Sequence, residues 1–295
     1  MKFALIGKLE RGLVTKTAHK VYDFLTSKGF EVQVEEEFAK YLGLEGVHWK
    51  TMDPDVIVTV GGDGTILKTI ENLEGKVFGI NAGRYGFLTE SKPEDAIAGL
   101  ERILKNDYII EERQKLGVTL NGSRLYDALN EAVIHTSVIA KMQMFHLIID
   151  GQEVDLVRSD GMIVSTPTGS TGYSMSAGGP LVDPRVNGFI IVPIAPFKLN
   201  TRALIVPCEA KIEIHLLEEK PSVLVLDGQY EKVVNAGDRL EFSASDKIAR
   251  FIRFKPAYYD LLRKQFYPER REMESVGPNE GKRFQEPGER GHGPS

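Results

Sequence analysis

A run of β-branched residues that ends in a glycine-rich block constrains the fold of this chain most. Residues 56–60 are only valine, isoleucine and threonine, which is the pattern of a strand buried on both faces. The next five residues are Gly61-Gly62-Asp63-Gly64-Thr65, and a helical pattern begins at about Thr65. A buried strand that turns directly into a helix predicts an α/β sheet, and such sheets bind ligands where their strands end.

The first hundred residues repeat this alternation of strand and helix patterns. Short apolar runs at 3–6, 30–34 and 77–80 are typical of further strands. Strand, helix, strand in this order predicts a parallel sheet with right-handed crossovers. We therefore expect an α/β N-terminal domain over residues 1–105 that carries the glycine-rich block.

Beyond residue 105 the patterns become those of antiparallel strands. Asn121-Gly122 and Asp150-Gly151 each separate strand-like segments, which is a hairpin signal. Residues 211–216 alternate polar and apolar side chains with period two. A mostly β domain is expected over residues 106–255, followed by a C-terminal helix at 256–267.

The last segment, residues 268–295, is rich in proline, glycine and charge. Its large apolar residues are few, so it cannot bury enough surface to offset the entropy of ordering. The composition predicts a disordered tail.

Charge and cysteine content restrict the partners of the chain. The net charge of −5 argues against a nucleic-acid partner. The single cysteine, Cys208, excludes an intramolecular disulfide and is typical of a reducing compartment. No apolar stretch is long enough to span a bilayer. We expect a soluble cytoplasmic protein without a membrane partner.

The block at residues 61–65 offers what a phosphate needs. Glycines let the backbone approach an anion, and the helix that follows presents free N–H groups. Asp63 is expected to project into the cleft, and Lys68 lies one turn into the helix. The alternative is an ordinary strand-to-helix turn in which Asp63 only caps the helix.

A second block, from Asp160 to Pro180, is dense in glycine and small hydroxylic residues. It supplies many short donors and acceptors together with exposed backbone, and Tyr173 adds one flat aromatic surface. These groups suit a polar ligand with several ring and phosphate oxygens. A flexible serine- and glycine-rich linker is the alternative, but strand-like segments flank the block on both sides.

These blocks resemble known families. The first resembles the superfamily of NAD kinases, diacylglycerol and sphingosine kinases and phosphofructokinases, whereas the second is similar to the signature of the NAD kinase family alone. Three further segments agree with that family: 83–89, Asn130-Glu131 and Asp227-Gly228-Gln229. The chain contains neither a P-loop nor the protein-kinase signatures. The resemblance implies the two-domain architecture of NAD kinases, with a dinucleotide bound by the mostly β domain.

The resemblance also implies roles for individual residues. Asp63 would be the catalytic residue that accepts the proton of the 2′-hydroxyl on the adenosine ribose of NAD. A phosphate-donor loop would consist of Gly61, Gly62, Gly64 and Thr65. Of the substrate-binding residues, Gly64 and Lys68 would line the Asp63 site, and Phe87 would pack at the adenine. Asn130 and Glu131 would hold ribose oxygens, and Lys141 and Arg158 would face phosphates. Asp160 would accept a hydrogen bond from the nicotinamide amide. The dinucleotide would be surrounded by Thr168, Thr171, Gly172, Tyr173, Ser174, Met175 and Ser176, with Gln229 nearby. Gly172 departs from the alanine usual in the family.

The function implied is that of a NAD kinase, which makes NADP from NAD with ATP, another triphosphate or polyphosphate as the phosphoryl donor. Mg²⁺ would be carried mostly by the nucleotide, since no dedicated metal cage is visible in the sequence. The resemblance further implies a homodimer or homotetramer in which one subunit completes its neighbour's site. Two alternatives are a related kinase for a lipid or sugar alcohol, and a regulator that binds a dinucleotide without catalysis.

Overall fold

A computed structural model describes residues 1–83, 86–256 and 258–266. Residues 1–256 form one compact unit, and the last helix lies in a second unit. The predicted tail at 268–295 lies outside the described residues. The helices are α1 (Leu13–Ser27), α2 (Glu36–Leu42), α3 (Asp63–Asn72), α4 (Ala96–Leu104), α5 (Tyr173–Ser176) and α6 (Tyr258–Phe266).

The strands of the α/β part are β1 (Lys2–Gly7), β2 (Glu31–Val34), β3 (Val56–Gly61) and β4 (Lys76–Asn81). The strands that follow are β5 (Ile109–Leu120), β6 (Ser123–Arg124), β7 (Glu131–Thr136), β8 (Gln143–Ile149), β9 (Gln152–Ser159), β10 (Gly161–Ser165), β11 (Gly188–Ile194), β12 (Leu204–Pro207), β13 (Ile212–Leu216), β14 (Ser222–Leu226), β15 (Tyr230–Val234) and β16 (Arg239–Arg253).

The first four strands form the predicted parallel sheet in the order β2-β1-β3-β4. All six residues of β3 are buried, as its β-branched run predicts for a strand covered on both faces. One face packs on α1, α2 and α4, and the other packs on α3. The prediction of an N-terminal parallel α/β region is confirmed.

The later strands are antiparallel and form a sandwich. One sheet has the order β12-β11-β10-β7-β14-β15, and it faces β5, β8, β13 and β16 across a single core. Asn121-Gly122 and Asp150-Gly151 turn the β5–β6 and β8–β9 hairpins with positive φ at both residues, as the primed hairpin turns require. The mostly β character predicted beyond residue 105 is confirmed.

The long strand β16 joins the two regions. It pairs parallel with β4 through Arg250 and Phe251, and antiparallel with β5 and β13. The parallel sheet therefore continues into one layer of the sandwich. The boundary at 105/106 stays a prediction, because the sheet itself crosses it.

Candidate functional site

The glycine-rich block lies at the predicted point, where β3 ends and α3 begins. A Cβ atom on Gly61 would lie 2.3 Å from the Thr65 hydroxyl oxygen, whereas Gly62 and Gly64 face open space. None of these glycines has a left-handed φ, so their small size, rather than backbone freedom, explains them. Gly62 and Gly64 leave the N-terminal amides of α3 accessible to an anion.

The Asp63 carboxylate is held by a neighbouring loop. Its Oδ2 accepts the N–H of Phe87 at 2.8 Å, and its Oδ1 accepts the N–H of Leu88 at 3.1 Å. Gly86 must be glycine here, because a Cβ atom would lie 2.1 Å from Oδ1. The capping alternative is wrong: the N-cap position of α3 is Gly62, without a side-chain cap. The structure adds that loop amides anchor the Asp63 carboxylate, and its projection into a cleft stays a prediction.

Burial raises the pKa of Asp63 above its ordinary value, although the loop amides and the guanidinium of Arg253 oppose the shift. Arg253 is 5% exposed, and it donates to the carbonyl oxygens of Phe87, Leu88 and Thr89 at 3.0–3.2 Å. Sequence reasoning missed Arg253. An arginine inside the apolar run Phe251-Ile252-Arg253-Phe254 was the available signal.

The Asn130-Glu131 pair lies at the start of β7, on a turn that Asp227 holds. The buried Asp227 carboxylate accepts the N–H groups of Leu129, Asn130 and Glu131 at 2.7, 2.8 and 3.0 Å. Burial raises the pKa of Asp227, and these amides oppose the shift. Asp227 opens a further Asp-Gly hairpin turn, between β14 and β15, with φ 51°. The sequence pointed to this segment, but the Asp227 side chain was missed as an anchor.

One oxygen on this turn and one in the second block have no hydrogen-bond partner among the described residues. They are Oε2 of Glu131 and the hydroxyl of Ser174, and both atoms are buried. Burial, and next the charge of Asp227, raises the pKa of Glu131 to about 8. A Cβ atom on Gly172 would lie 3.2 Å from Glu131 Oε2, so the two predicted segments meet here. Buried polar atoms without partners are costly and indicate a place where a ligand completes the bonding.

The second block packs closely on this turn. The N–H of Thr166 donates to the carbonyl of Asn130 at 2.8 Å. A Cβ atom on Gly169 would lie 2.3 Å from that same carbonyl oxygen. The block is therefore an ordered cradle, and the flexible-linker alternative is wrong.

A chain of buried charges connects the two blocks. Thr168 Oγ1 accepts from Arg113 at 3.4 Å, and Arg113 donates to Glu111 at 2.8 Å. Glu111 accepts from Arg253 at 2.7 Å, and Arg253 holds the loop that holds Asp63. Leu129, next to Asn130, also packs in the same core cluster as Leu88 and Ile66. The tertiary structure thus brings Asp63 and the Asn130-Glu131 turn to one region.

The other predicted site residues differ in how exposed they are to solvent. Lys68 is exposed and forms an ion pair of 3.5 Å with Glu37 of α2. The cradle places Tyr173 and Ser176 at the surface, and Gln229 is exposed in the β14–β15 turn. The half-buried members are Thr65, Phe87, Thr171, Gly172 and Met175, whereas Thr168 and Ser174 are buried.

Asp160 lies apart from Glu131. In the β7–β10 ladder Ser165 pairs with Glu131, and Gly161 pairs with His135 at the opposite end. At about 3.3 Å per residue, the backbone at Asp160 is roughly 16 Å from the Glu131 end. Arg158 and Lys141 are exposed, and nothing in the structure places them beside Asp63.

Two kinds of feature are absent from the described ranges. No helix within them is long and apolar enough to cross a membrane. In the same residues, no group of three or more histidine, cysteine, aspartate or glutamate side chains is arranged to hold a metal.

A helix N-terminus beside two glycines that face open space, an anchored carboxylate and a cradle with an unpaired carboxyl oxygen suit a ligand that carries phosphates and hydroxyl groups. Comparison with known proteins gives the family. The family model for the ATP-NAD kinase N-terminal domain matches residues 3–108, and that for the ATP-NAD kinase C-terminal domain matches residues 129–254. The chain belongs to the NAD kinase family, as its resemblance predicted.

Individual relatives agree with this assignment. The NAD kinase of Methanothermobacter thermautotrophicus is 41% identical over 272 residues, covering 90% of this chain and 96% of the relative. That of Thermococcus gammatolerans is 43% identical over 279 residues, covering 90% and 100%. The structure of an Archaeoglobus fulgidus NAD kinase in complex with ATP has 32% identity and a TM-score of 0.73, and covers 90% of this chain and 98% of that one. Yeast NADH kinase, 21% identical with a TM-score of 0.82 over 97% and 90% of the two chains, shares the fold.

Proposed function

We propose that this chain transfers a terminal phosphoryl group to the 2′-hydroxyl of the adenosine ribose of NAD, which gives NADP. Family membership supports the reaction class. The observation that carries the choice of a ribose-bearing substrate is the unpaired, buried Oε2 of Glu131 beside the cradle. With a pKa of about 8 the Glu131 carboxyl is largely protonated near neutral pH, so it can donate to one hydroxyl and accept from another, and adjacent ribose hydroxyls would reach both Glu131 and Asn130.

Asp63 is the proposed proton acceptor. Its oxygens accept loop amides, which orient the carboxylate, and the lone pairs of a carboxylate are enough to bind a hydroxyl as well. Phosphoryl transfer depends on positioning and on neutralising charge rather than on a strong base. We propose that Asp63 aligns the hydroxyl and takes its proton late, and the raised pKa makes it a better acceptor than an ordinary aspartate.

The donor phosphates would bind at the N-terminus of α3. Gly62 and Gly64 leave the backbone amides open there, and Lys68 lies on the same helix. Mg²⁺ enters in this proposal as part of the donor, bound to its phosphates, and supplies charge neutralisation. ATP is the first donor to test, with polyphosphate and other triphosphates as alternatives.

We infer that Asp160 acts at a distance from Asp63, either at the nicotinamide end of an extended dinucleotide or in a neighbouring subunit's site. Its place at the far end of the β7–β10 ladder supports this. A homodimer or homotetramer accords with the apolar exposure of Phe197 and Leu199, at 70% and 91%. Light scattering checks the mass. A single cysteine supports a cytoplasmic location, which cell fractionation checks.

The orientation is tested with nicotinic acid adenine dinucleotide, which carries a carboxylate in place of the amide. If Asp160 accepts from the amide, this analogue is a much poorer substrate than NAD, and Asp160→Asn narrows the difference. Equal turnover of the two by the unmodified enzyme would contradict the orientation without affecting the reaction class.

One assay tests the function itself. The protein is incubated with Mg²⁺, NAD and ATP, and NADP is detected with an NADP-specific dehydrogenase. NADP formation that requires both substrates supports the proposal. Binding of NAD by calorimetry without NADP formation from any donor would indicate the non-catalytic regulator. Phosphorylation of a lipid or sugar alcohol in place of NAD would indicate the related kinase.

A further inference from the structure

A single peptide group lies between a buried cation and the Asp63 carboxylate. The carbonyl oxygen of Phe87 accepts from Arg253 Nη2 at 3.2 Å. The amide of the same peptide unit, the N–H of Leu88, donates to Asp63 Oδ1 at 3.1 Å. The positive guanidinium of Arg253 lies at the carbonyl oxygen and the negative carboxylate of Asp63 lies at the N–H. Both charges therefore favour this orientation of the peptide dipole.

Arg253 also donates hydrogen bonds to the neighbouring peptide groups. Its Nη1 donates to the carbonyls of Leu88 at 3.0 Å and Thr89 at 3.2 Å. A planar guanidinium can satisfy several carbonyls at fixed angles, which a lysine ammonium on a flexible stem does not. The loop that anchors Asp63 is therefore itself held from the opposite side.

The guanidinium has a fixed position of its own. Its Nε donates to Glu111 at 2.7 Å and its Nη1 to Glu90 at 3.4 Å, and its side chain is 6% exposed. Glu90 also accepts the N–H of Phe254 at 2.9 Å. Because Arg253 is the last residue of β16, the strand that joins both regions sets where the loop lies.

We propose that Arg253 is a positioning residue for phosphoryl transfer: it aligns the 87–89 peptides so that they hold the Asp63 carboxylate toward the reacting hydroxyl. The proposal rests on the proposed role of Asp63 as proton acceptor. The hydrogen bonds and ion pairs of Arg253 within the described residues go to the loop carbonyls, Glu90 and Glu111 and not to the Asp63 carboxylate, so Arg253 acts through the loop.

Removing the Arg253 cation should change the pKa of Asp63 in a predictable direction. The charged groups around Asp63 are Arg253 from β16, with Glu90 of the loop and Glu111 of β5 beyond it, and Lys68 on α3, which pairs with Glu37. Arg253 lowers the pKa of Asp63 against the effect of burial. Without Arg253 the pKa rises further, and activity that needs the carboxylate is lost at a higher pH as the solution is acidified.

The test compares Arg253→Gln, Arg253→Lys and the control Arg250→Gln in the full chain. Arg250 is on the same strand and is exposed, and it pairs with Glu112 at 3.1 Å away from the loop. We expect Arg253→Gln to lower kcat on the order of 100-fold, as a misplaced reacting group does, with the KM for NAD changed only a few-fold. The acidic limb of the kcat profile should move to higher pH. Arg253→Lys, which keeps the charge, should show an intermediate loss of kcat and a smaller movement of the acidic limb. The control Arg250→Gln should show neither change.

A second measurement does not depend on activity. The pKa of Asp63 is followed by carboxyl carbon NMR, with its signal assigned by Asp63→Asn, in the wild type and the Arg253 variants. A higher Asp63 pKa in Arg253→Gln shows that Arg253 is coupled to the carboxylate whether or not the proposed reaction is observed, which separates a failure of this proposal from a failure of the proposed function. A folded Arg253→Gln with wild-type kcat, or one whose loss of activity leaves the Asp63 pKa unmoved, overturns this proposal. If Arg253→Gln does not fold, Arg253→Lys decides, and wild-type kcat in that variant overturns the proposal.

Discussion

Asp63 and Glu131 are two carboxylates of the candidate site, the first half-buried and the second buried, and their surroundings differ. Both oxygens of Asp63 accept backbone amides, whereas Oε2 of Glu131 has no partner among the described residues. The pKa of both is raised by burial, to about 8 for Glu131, while amides and a cation oppose the shift at Asp63. The Asp63 carboxylate is therefore held in place without a ligand, whereas Oε2 of Glu131 is left with a hydrogen-bonding position that a ligand can fill.

The two loops that carry these groups are also held in opposite ways. A buried cation, Arg253, binds the carbonyls of the 87–89 loop, and a buried anion, Asp227, binds the amides of residues 129–131. A loop cannot satisfy its own backbone as a helix or a strand does, so a buried loop needs such partners. Each side chain comes from a strand end or turn far along the chain.

The largest expected effect is that of Asp63→Asn. If the anchored carboxylate is the proton acceptor, kcat for NADP formation falls roughly 10²- to 10⁴-fold. The KM for NAD stays within a few-fold, because the asparagine oxygen still accepts one loop amide. Steady-state kinetics measure both, with the exposed Asp95→Asn as the control. Equal losses of binding and catalysis would show that Asp63 is a binding or structural residue.

Asp227→Asn should act on stability. Its carboxylate accepts three amides, and an amide side chain would turn a donor toward one of them. We expect the free energy of unfolding to fall by about 3 kcal/mol, measured by denaturant titration. Asp150→Asn is a matched control, because Asp150 also opens an Asp-Gly turn at the surface. Among the described residues its carboxylate accepts a hydrogen bond from one backbone amide, that of Lys211. Similar losses in both variants would contradict the anchoring role of Asp227.

Glu131→Gln tests whether the unpaired carboxylate carries a stability cost. Its pKa is about 8 when folded and near 4.5 when unfolded, so the folded chain binds the proton more tightly. The associated stability is present below about pH 4.5 and is lost as the pH rises through 8. The wild-type free energy of unfolding should therefore fall across this window by an amount on the order of a few kcal/mol, and the glutamine variant should lack that fall.

The same variant should raise the KM for NAD about tenfold, the effect of one weakened buried hydrogen bond. Glu112→Gln removes an exposed carboxylate and serves as the control for both measurements. An unchanged pH dependence in Glu131→Gln would show that Glu131 is solvated or paired in solution.

The smallest expected effect is that of Gly172→Ala. The added methyl group would lie 3.2 Å from Glu131 Oε2 and 3.2 Å from the carbonyl oxygen of Gly169. Shifts of a few tenths of an ångström accommodate both contacts, and the KM for NAD should change less than about threefold. Gly169→Ala is the contrast, because its methyl group would lie 2.3 Å from a backbone carbonyl. We expect a clear loss of thermal stability only in Gly169→Ala. Equal melting temperatures would show that the cradle is loosely packed around Gly169.

The local patterns of the sequence were sufficient for much of the fold. The β-branched run before Gly61 predicts a strand covered on both faces, and β3 is such a strand. The Asn-Gly and Asp-Gly pairs predict their hairpins, since the positive φ that these turns need is favoured by the residues themselves. The position of the first block between β3 and α3 likewise follows from its neighbours in the chain.

Only the tertiary structure decided how these parts work together. Arg253 meets the 87–89 loop across 164 to 166 residues, and Asp227 meets residues 129–131 across 96 to 98. Hydropathy patterns report which face of an element is buried, but they carry no information about which distant charge is placed there. By itself the sequence determined the elements, the turns and the family. The anchoring of Asp63, the unpaired oxygen of Glu131 and the place of Asp160 at the far end of its ladder depend on the packing of strands that are distant in the chain.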